Sequence, residues 1–400
     1  MKRNLLWTLL LLVSLTAICS YDTGMVSAYS SGHHYSKSSV VTNTTTPPVV
    51  TTPMANNSTI PIGAKTVNTT AQLTAAISSA QAGSTIYVSS GTFNLNGLTI
   101  NKNIILQGAG QDKTIFVGSG SRILNIGNFQ VTINDIQFKG GAADYGGAIQ
   151  SSGTLTLNND FFTGNTASKY GGAINNNKIL NVNNCVFTSN TAPGAFEIGY
   201  GSGSAILNNA GCSLIVSKST FSGNTAGSYA AIFQLGTGTI TNSVFTNNVA
   251  GEGGAVYTSG VAAASQVSGC TFTGNKAISG AGGALSEYHS NSNVLNCVFT
   301  GNSALKGGGA IYNDGQDTSS TVHSSISVTG CTFTNNKAGS TYGGGAIMNY
   351  AGPMTVANSI FNGNAAGNGG ALYNYEGSFT LTGNTVSGNS LPEISQVSGG

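Results

Sequence analysis

From about residue 140 onward two short marks alternate along the chain, and this repeat restricts the fold more than any other feature. The first mark is Phe-x-x-Asn, at Phe162/Asn165, Phe187/Asn190, Phe221/Asn224, Phe245/Asn248, Phe272/Asn275, Phe299/Asn302, Phe333/Asn336 and Phe361/Asn364, with a worn copy at Val386/Asn389. The second is Gly-Gly-Ala followed by Ile, Val or Leu. It is intact at 146–149, 171–174, 253–256, 282–285, 308–311, 344–347 and 369–372, and worn at 203–206 and 229–232. Successive Phe positions lie 24 to 34 residues apart. Units this short cannot each enclose a core, so they must stack on one another.

Between the marks, apolar residues keep a period of two. They stand five before each Phe (Leu157, Val182, Val216, Ile240, Val267) and often seven before it (Leu155, Leu180, Leu214). Two before the Phe the residue is small: Cys185, Ser219, Ser243, Cys270, Cys297, Cys331, Ser359. A period of two is strand, and the change of parity between these positions requires a bend. Glycines interrupt every candidate helix.

The pattern predicts an all-β chain with three short strands per coil. About 12 coils would wind into a parallel β-solenoid, each strand pairing with its copy in the next coil at about 4.8 Å, in a rod on the order of 55–60 Å long. The Phe residues then pile into one inner column. The Asn residues form a second column at a bend, amide to amide, where they satisfy backbone groups that would otherwise be unpaired. The four cysteines two before a Phe read as buried free thiols interchangeable with serine, because stacked, parallel side chains suit a disulfide poorly.

Gly-Gly-Ala-Ile alternating with Phe-x-x-Asn resembles the repeat of the chlamydial polymorphic outer membrane proteins. It is equally similar to that of the secreted adhesin-like right-handed β-helix proteins of methanogenic archaea. The resemblance covers about residues 140–391, and the segment from Leu73 to Ile115 resembles the first coils of pectate-lyase-like β-helices. It implies a right-handed coil and a surface or adhesive role. The chlamydial proteins end in a membrane β-barrel whose alternating strands are not found in this sequence.

Ahead of the repeat, residues 66–139 read as a cap and first coils. Ala71–Ala80 is expected to be a short amphipathic helix, N-capped by Thr70, burying Leu73, Ala76 and Ile77 against the first coil and hiding its open edge. Residues 1–28 read as a signal peptide, with Lys2 and Arg3 before an apolar run too short to span a membrane. No other run reaches spanning length. Residues 29–65, rich in Ser, Thr, Asn and Pro, read as a disordered stalk. The N-glycosylation sequons are Asn43, Asn56, Asn57 and Asn68. The chain is therefore expected to be secreted or to stand at the cell surface.

Charged residues are only 6% of the sequence, against roughly 25% in an ordinary soluble domain. Beyond the signal segment Arg122 is the single arginine, which argues against nucleic acid as a partner. The acidic residues are thinly spread; Asp314 and Asp317 stand together in an inserted Gly/Ser loop, and the histidines read as exposed polar groups. No catalytic residue, metal site or cofactor is expected, and the chain is expected not to be an enzyme. The feature suited to binding is the position after each Gly-Gly-Ala-Ile mark. In successive coils it reads Leu207, Phe233, Tyr257, Ser286, Tyr312, Met348 and Tyr373. If outward, Phe233, Tyr257, Tyr312 and Tyr373 would form an exposed aromatic stripe for cell-surface glycans or proteins. The function expected is that of an adhesin-like protein presenting a rigid face; the alternatives are a carbohydrate-active lyase or hydrolase, or a purely structural envelope protein.

Overall fold

The computed structural model describes residues 59–194, 201–260, 263–315, 325–339 and 342–397. The expected signal peptide, most of the stalk, Asn43, Asn56, Asn57 and Asp317 lie outside them. Among the described residues the chain is a parallel β-solenoid, with sheets of 13, 12 and 12 strands and a fourth of 8. One coil shows the plan. Thr237–Thr241 lies in sheet 1, Val244–Thr246 in sheet 2, Val249–Ala250 in sheet 4 and Val256–Ser259 in sheet 3. Three principal strands per coil match the sequence pattern. The short fourth strand, present from Ala142–Tyr145 to Lys337–Ala338, is an addition. It falls on the Ala five beyond each Phe, too small a feature to announce a strand.

The first strand is Lys65–Val67, so the coil begins within what reads as stalk. Helix α1 spans Thr70–Ser79 and buries Leu73, Ala76 and Ile77 as expected, but its N-cap is Thr69. The Gln72 N–H donates to Thr69 Oγ1, and Gln72 Oε1 accepts the Asn68 N–H at 2.9 Å, a capping arrangement that closes the helix start. Asn68 itself is exposed. No helix among the described residues is long and apolar enough to cross a membrane.

Each bend is set by one residue of left-handed conformation. Three before the Phe stand Asn159, Asn184, Asn242, Gly269, Asn296 and their equivalents, all with φ near +50 to +60°. Asn and Gly tolerate that region best. At the glycine corner the first Gly has positive φ, as in Gly282 at +66°. The second is needed for closeness: a Cβ on Gly283 would stand 2.1 Å from the Gly309 carbonyl oxygen.

Inside, the Phe column is continuous from Phe93 to Phe361 and fully buried. From Phe138 onward the rings stack with centroids 4.7–4.9 Å apart.

The Asn column makes both kinds of bond expected at the bend, amide to amide and amide to backbone. Asn165, Asn190, Asn224, Asn248, Asn275, Asn302, Asn336 and Asn364 are all fully buried, so they serve the interior and offer nothing to a ligand. Each amide also bonds the backbone of the coil before it. Asn165, Asn190, Asn302, Asn336 and Asn364 donate Nδ2–H to the carbonyls of Phe138, Phe162, Phe272, Phe299 and Phe333 at 2.9–3.1 Å. The physical reason is that a dry bend leaves backbone groups without water, and the amide has positions enough to satisfy them as well as its neighbour. Asn248 shows the full set. It donates Nδ2–H to the Phe221 carbonyl at 3.0 Å and to Asn275 Oδ1 at 2.9 Å. Its own Oδ1 accepts the backbone N–H and the Nδ2–H of Asn224 at 3.1 and 2.9 Å. The run ends on Glu393, whose Oε1 accepts the Asn389 N–H at 2.9 Å.

The small residues two before each Phe make a further column. Its side chains accept backbone N–H groups from the preceding coil: Cys185 N–H to Ser219 Oγ at 3.1 Å, Cys270 N–H to Cys297 Sγ at 3.4 Å, Cys297 N–H to Cys331 Sγ at 3.4 Å. Their own protons go to the carbonyl two residues back, as in Ser243 to Thr241 at 2.8 Å and Cys270 to Ser268 at 3.3 Å. Serine and cysteine are interchangeable here because both are small and both accept. Cys185, Cys270, Cys297 and Cys331 are free and buried.

Two substitution pairs test this account by thermal unfolding. Asn275→Ala orphans several buried groups at about 1–3 kcal/mol each and lowers the midpoint strongly, whereas Asn293→Ala, at an exposed position, shifts stability by no more than about 0.5 kcal/mol. Cys297→Ser is tolerated, while Cys297→Val, of similar size but unable to accept the Cys270 N–H, costs about 1–3 kcal/mol.

Candidate functional site

The position after the Gly-Gly-Ala-Ile mark does point outward from sheet 3, but it is not an exposed stripe. Phe233, Tyr257 and Tyr373 are 5%, 5% and 7% exposed, and Tyr312 is half-buried. For Tyr373 and Met348 the reason is the turn entering the glycine corner of a neighbouring coil, against which the side chain packs. A Cβ on Gly343 would come within 2.5 Å of the Tyr373 ring, and one on Gly307 within 2.1 Å of Met348 Sδ. Tyr170, Leu207, Ala230, Phe233 and Tyr257 form a small apolar cluster of their own, separate from the solenoid core. Tyr229 closes over it, with its ring 4.3 Å from that of Tyr257.

The stripe breaks at Ser286, which the strand register places between Tyr257 and Tyr312. Into this break comes Glu252 from the glycine corner. Ser286 Oγ donates to Glu252 Oε1 at 3.0 Å. The carboxyl lies over Gly280, where a Cβ would stand 2.9 Å from Glu252 Oε2. Two small residues thus make room for one acid. Burial, with the charge of Asp314 adding to it, pushes the Glu252 carboxyl up to about 8, partly opposed by the Ser286 hydrogen bond. It is therefore largely protonated at neutral pH.

Asp314 belongs to a second outward row, at the edge where sheet 3 turns into sheet 1. The row reads Ser259, Tyr288, Asp314, Tyr350 and Tyr375 in successive coils. Tyr312 donates its hydroxyl to Asp314 Oδ2 at 3.0 Å. The Tyr350 and Tyr375 rings stack at 5.2 Å, and Tyr288 stacks on His289 at 4.1 Å. All of Tyr288, Asp314, Tyr350 and Tyr375 are half-buried, with part of each open to solvent. The result is a tyrosine-lined patch holding one protonated and one neighbouring carboxyl group. It was not expected from the sequence, where Glu252 and Asp314 stand in different repeats with nothing to pair them; the break in the stripe at Ser286 is the one signal available.

A further acid, Glu287, points inward from the same strand as Ser286. It accepts the hydroxyls of Ser290 and Ser292, each at 2.7 Å, and burial pushes its carboxyl up to about 7. Its neighbour in register is Asn313, whose Oδ1 lacks a donor among the described residues, a setting that favours the protonated acid.

Residues 204–391 match the family model described as a right handed beta helix region. The chain is accordingly an all-β, right-handed parallel β-helix. No curated protein matches it. Among solved structures it is similar to the catalytic domain of a GH87 alpha-1,3-glucanase, at 12% identity and TM-score 0.44, covering 86% of this chain and 70% of that one. It is also similar to a mannuronic acid specific polysaccharide family 6 lyase from human gut microbiota, at 11% identity and TM-score 0.39 over 79% and 82% of the two chains. The mannuronan C-5 epimerase AlgE6 A-module of Azotobacter vinelandii follows, at 14% identity and TM-score 0.38 over 85% and 97%. The proteins it is similar to are a glucanase, a lyase and an epimerase, and the sequence expectation that the chain is not an enzyme is withdrawn.

The two raised acids give stability a definite pH dependence. Because the folded-state values lie above the ordinary 4.5, the native protein binds more protons than the unfolded chain from about pH 4.5 upward. That contribution to stability is complete below pH 4.5 and is lost as pH rises through about 7 and 8. Melting temperature should fall across this window, and Glu252→Gln together with Glu287→Gln should flatten the slope.

Proposed function

We propose that this right-handed β-helix is an exported, carbohydrate-active protein that engages a glycan on the outer face of sheet 3 and hydrolyses it there. Glu252 is the proton donor and Asp314 its partner. The observation that carries the reading is the protonated Glu252 carboxyl, within electrostatic reach of Asp314, on a tyrosine-lined patch. Glycoside hydrolysis needs two carboxyl groups in opposite protonation states, one to protonate the leaving oxygen and one to take a proton from water.

The chemistry balances on these two groups. The Glu252 proton passes to the glycosidic oxygen as its bond to the anomeric carbon breaks. Water adds to that carbon and gives its proton to Asp314, which the Tyr312 hydroxyl holds in place. The partly exposed rings of Tyr288, Tyr350 and Tyr375 offer faces and edges for sugar rings. Export, carried by residues 1–28, would bring the protein to extracellular or cell-surface glycans.

The test is release of reducing ends by the full chain from a panel of neutral glucans and polyuronides. The native protein should cleave at least one, with a rate falling as pH rises past about 8, where Glu252 loses its proton. Glu252→Gln and Asp314→Asn should each cost about 100-fold or more. Cleavage that survives both substitutions, or no cleavage of any glycan by the native protein, would overturn the reading.

A further inference from the structure

At the same edge, where sheet 3 turns into sheet 1, the early coils form an open cleft of about 270 Å³ lined by Asn103, Asn128, Phe129, Gln130, Thr154 and Lys178. Phe129 is 37% exposed, yet its backbone is fixed. Its carbonyl accepts the Thr154 N–H at 2.9 Å and its N–H donates to Gly127 at 2.7 Å. The ring is thus presented by a rigid turn. Asn103 Oδ1 accepts the Gln130 N–H at 2.8 Å.

Lys178 reaches back across two coils to donate to Asn128 Oδ1 at 2.8 Å. None of the lining residues is acidic, and the ion pair found among the described residues joins Lys169 to Asp144 instead. An ammonium group has three N–H donors, so a cation held by one amide oxygen keeps donors for a ligand. Three side-chain amides and an uncompensated cation in one polar cleft match the chemistry of a pyranose that carries a carboxylate.

We propose that this cleft binds an acidic sugar residue, a hexuronate, with its hydroxyls on the amides of Asn103, Asn128 and Gln130 and its carboxylate on Lys178. The inference rests on the carbohydrate reading above and deepens it by naming the substrate class. Six strand spacings, roughly 30 Å at about 4.8 Å each, separate the strand before Phe129 from the one ending in Tyr288. The cleft would therefore anchor a polyuronide chain well away from the carboxyl pair.

Calorimetric titration of the full chain with an oligogalacturonide, and with the same oligosaccharide after reduction of its carboxylates to alcohols, tests this. The acidic form should bind more tightly than the reduced form. Lys178→Gln should weaken it by about tenfold or more, and Lys178→Arg should restore most of the affinity. Binding insensitive to Lys178→Gln, equal affinity for the reduced form, or no binding of the acidic form overturns the cleft. Glu252→Gln separates the two proposals: it should abolish cleavage while leaving this binding unchanged. Cleavage without dependence on Lys178 sinks the cleft alone, and Lys178-dependent binding without any cleavage sinks the hydrolytic reading alone.

Discussion

A coil that turns through bends of left-handed backbone leaves N–H and C=O groups facing a dry interior, and the asparagine column is what satisfies them. An amide within the column, such as Asn248, accepts two hydrogen bonds from the coil before; it donates one back to that coil's Phe carbonyl and one onward to the next amide. Asparagine fits. An ionised aspartate has no donor and serine has too few. The Ser/Cys column does the same for the neighbouring bend. The Phe rings stack at the strand spacing, so backbone pairing and side-chain packing ask for the same translation from coil to coil.

This regular interior leaves the outside to vary. A repeat that is satisfied from within fixes the position of every outward side chain. Chemistry can then arise where a copy departs from the pattern. Ser286 stands where its neighbours are Tyr257 and Tyr312, Gly280 passes beneath, and Glu252 fills the room they leave. Burial in that gap, more than any ion partner, keeps the acid protonated. The cleft beside Phe129 is a second departure, in the coils where the intact marks begin.

What could be read from the sequence was what every copy repeats. Inward Phe, the bend Asn, the Ser/Cys position and the helix face carrying Leu73, Ala76 and Ile77 all announce themselves through spacing. The bonds from Asn165 or Asn302 to a Phe carbonyl one coil back were less legible, because spacing places a side chain without saying which backbone groups it meets. Outward direction at Phe233, Tyr257, Tyr312 and Tyr373 could be read, because strand parity sets it. Exposure could not, since parity does not say which turn folds over a side chain, and the glycine corners that cover these rings carry no apolar signal. The Glu252–Ser286 contact spans 34 residues and joins two residues that break the pattern. The expectation of no catalytic residue followed from acids thinly spread along the sequence, where spacing gives no sign that two of them share a face.

The protonation state of Glu252 is the hinge of the functional account, and it can be observed directly. In protein carrying 13C-labelled glutamate, the Glu252 carboxyl resonance, assigned by its loss in Glu252→Gln, should titrate near pH 8. Titration near the ordinary glutamate value of 4.5 would mean that Glu252 is ionised at neutral pH and cannot serve as the proton donor.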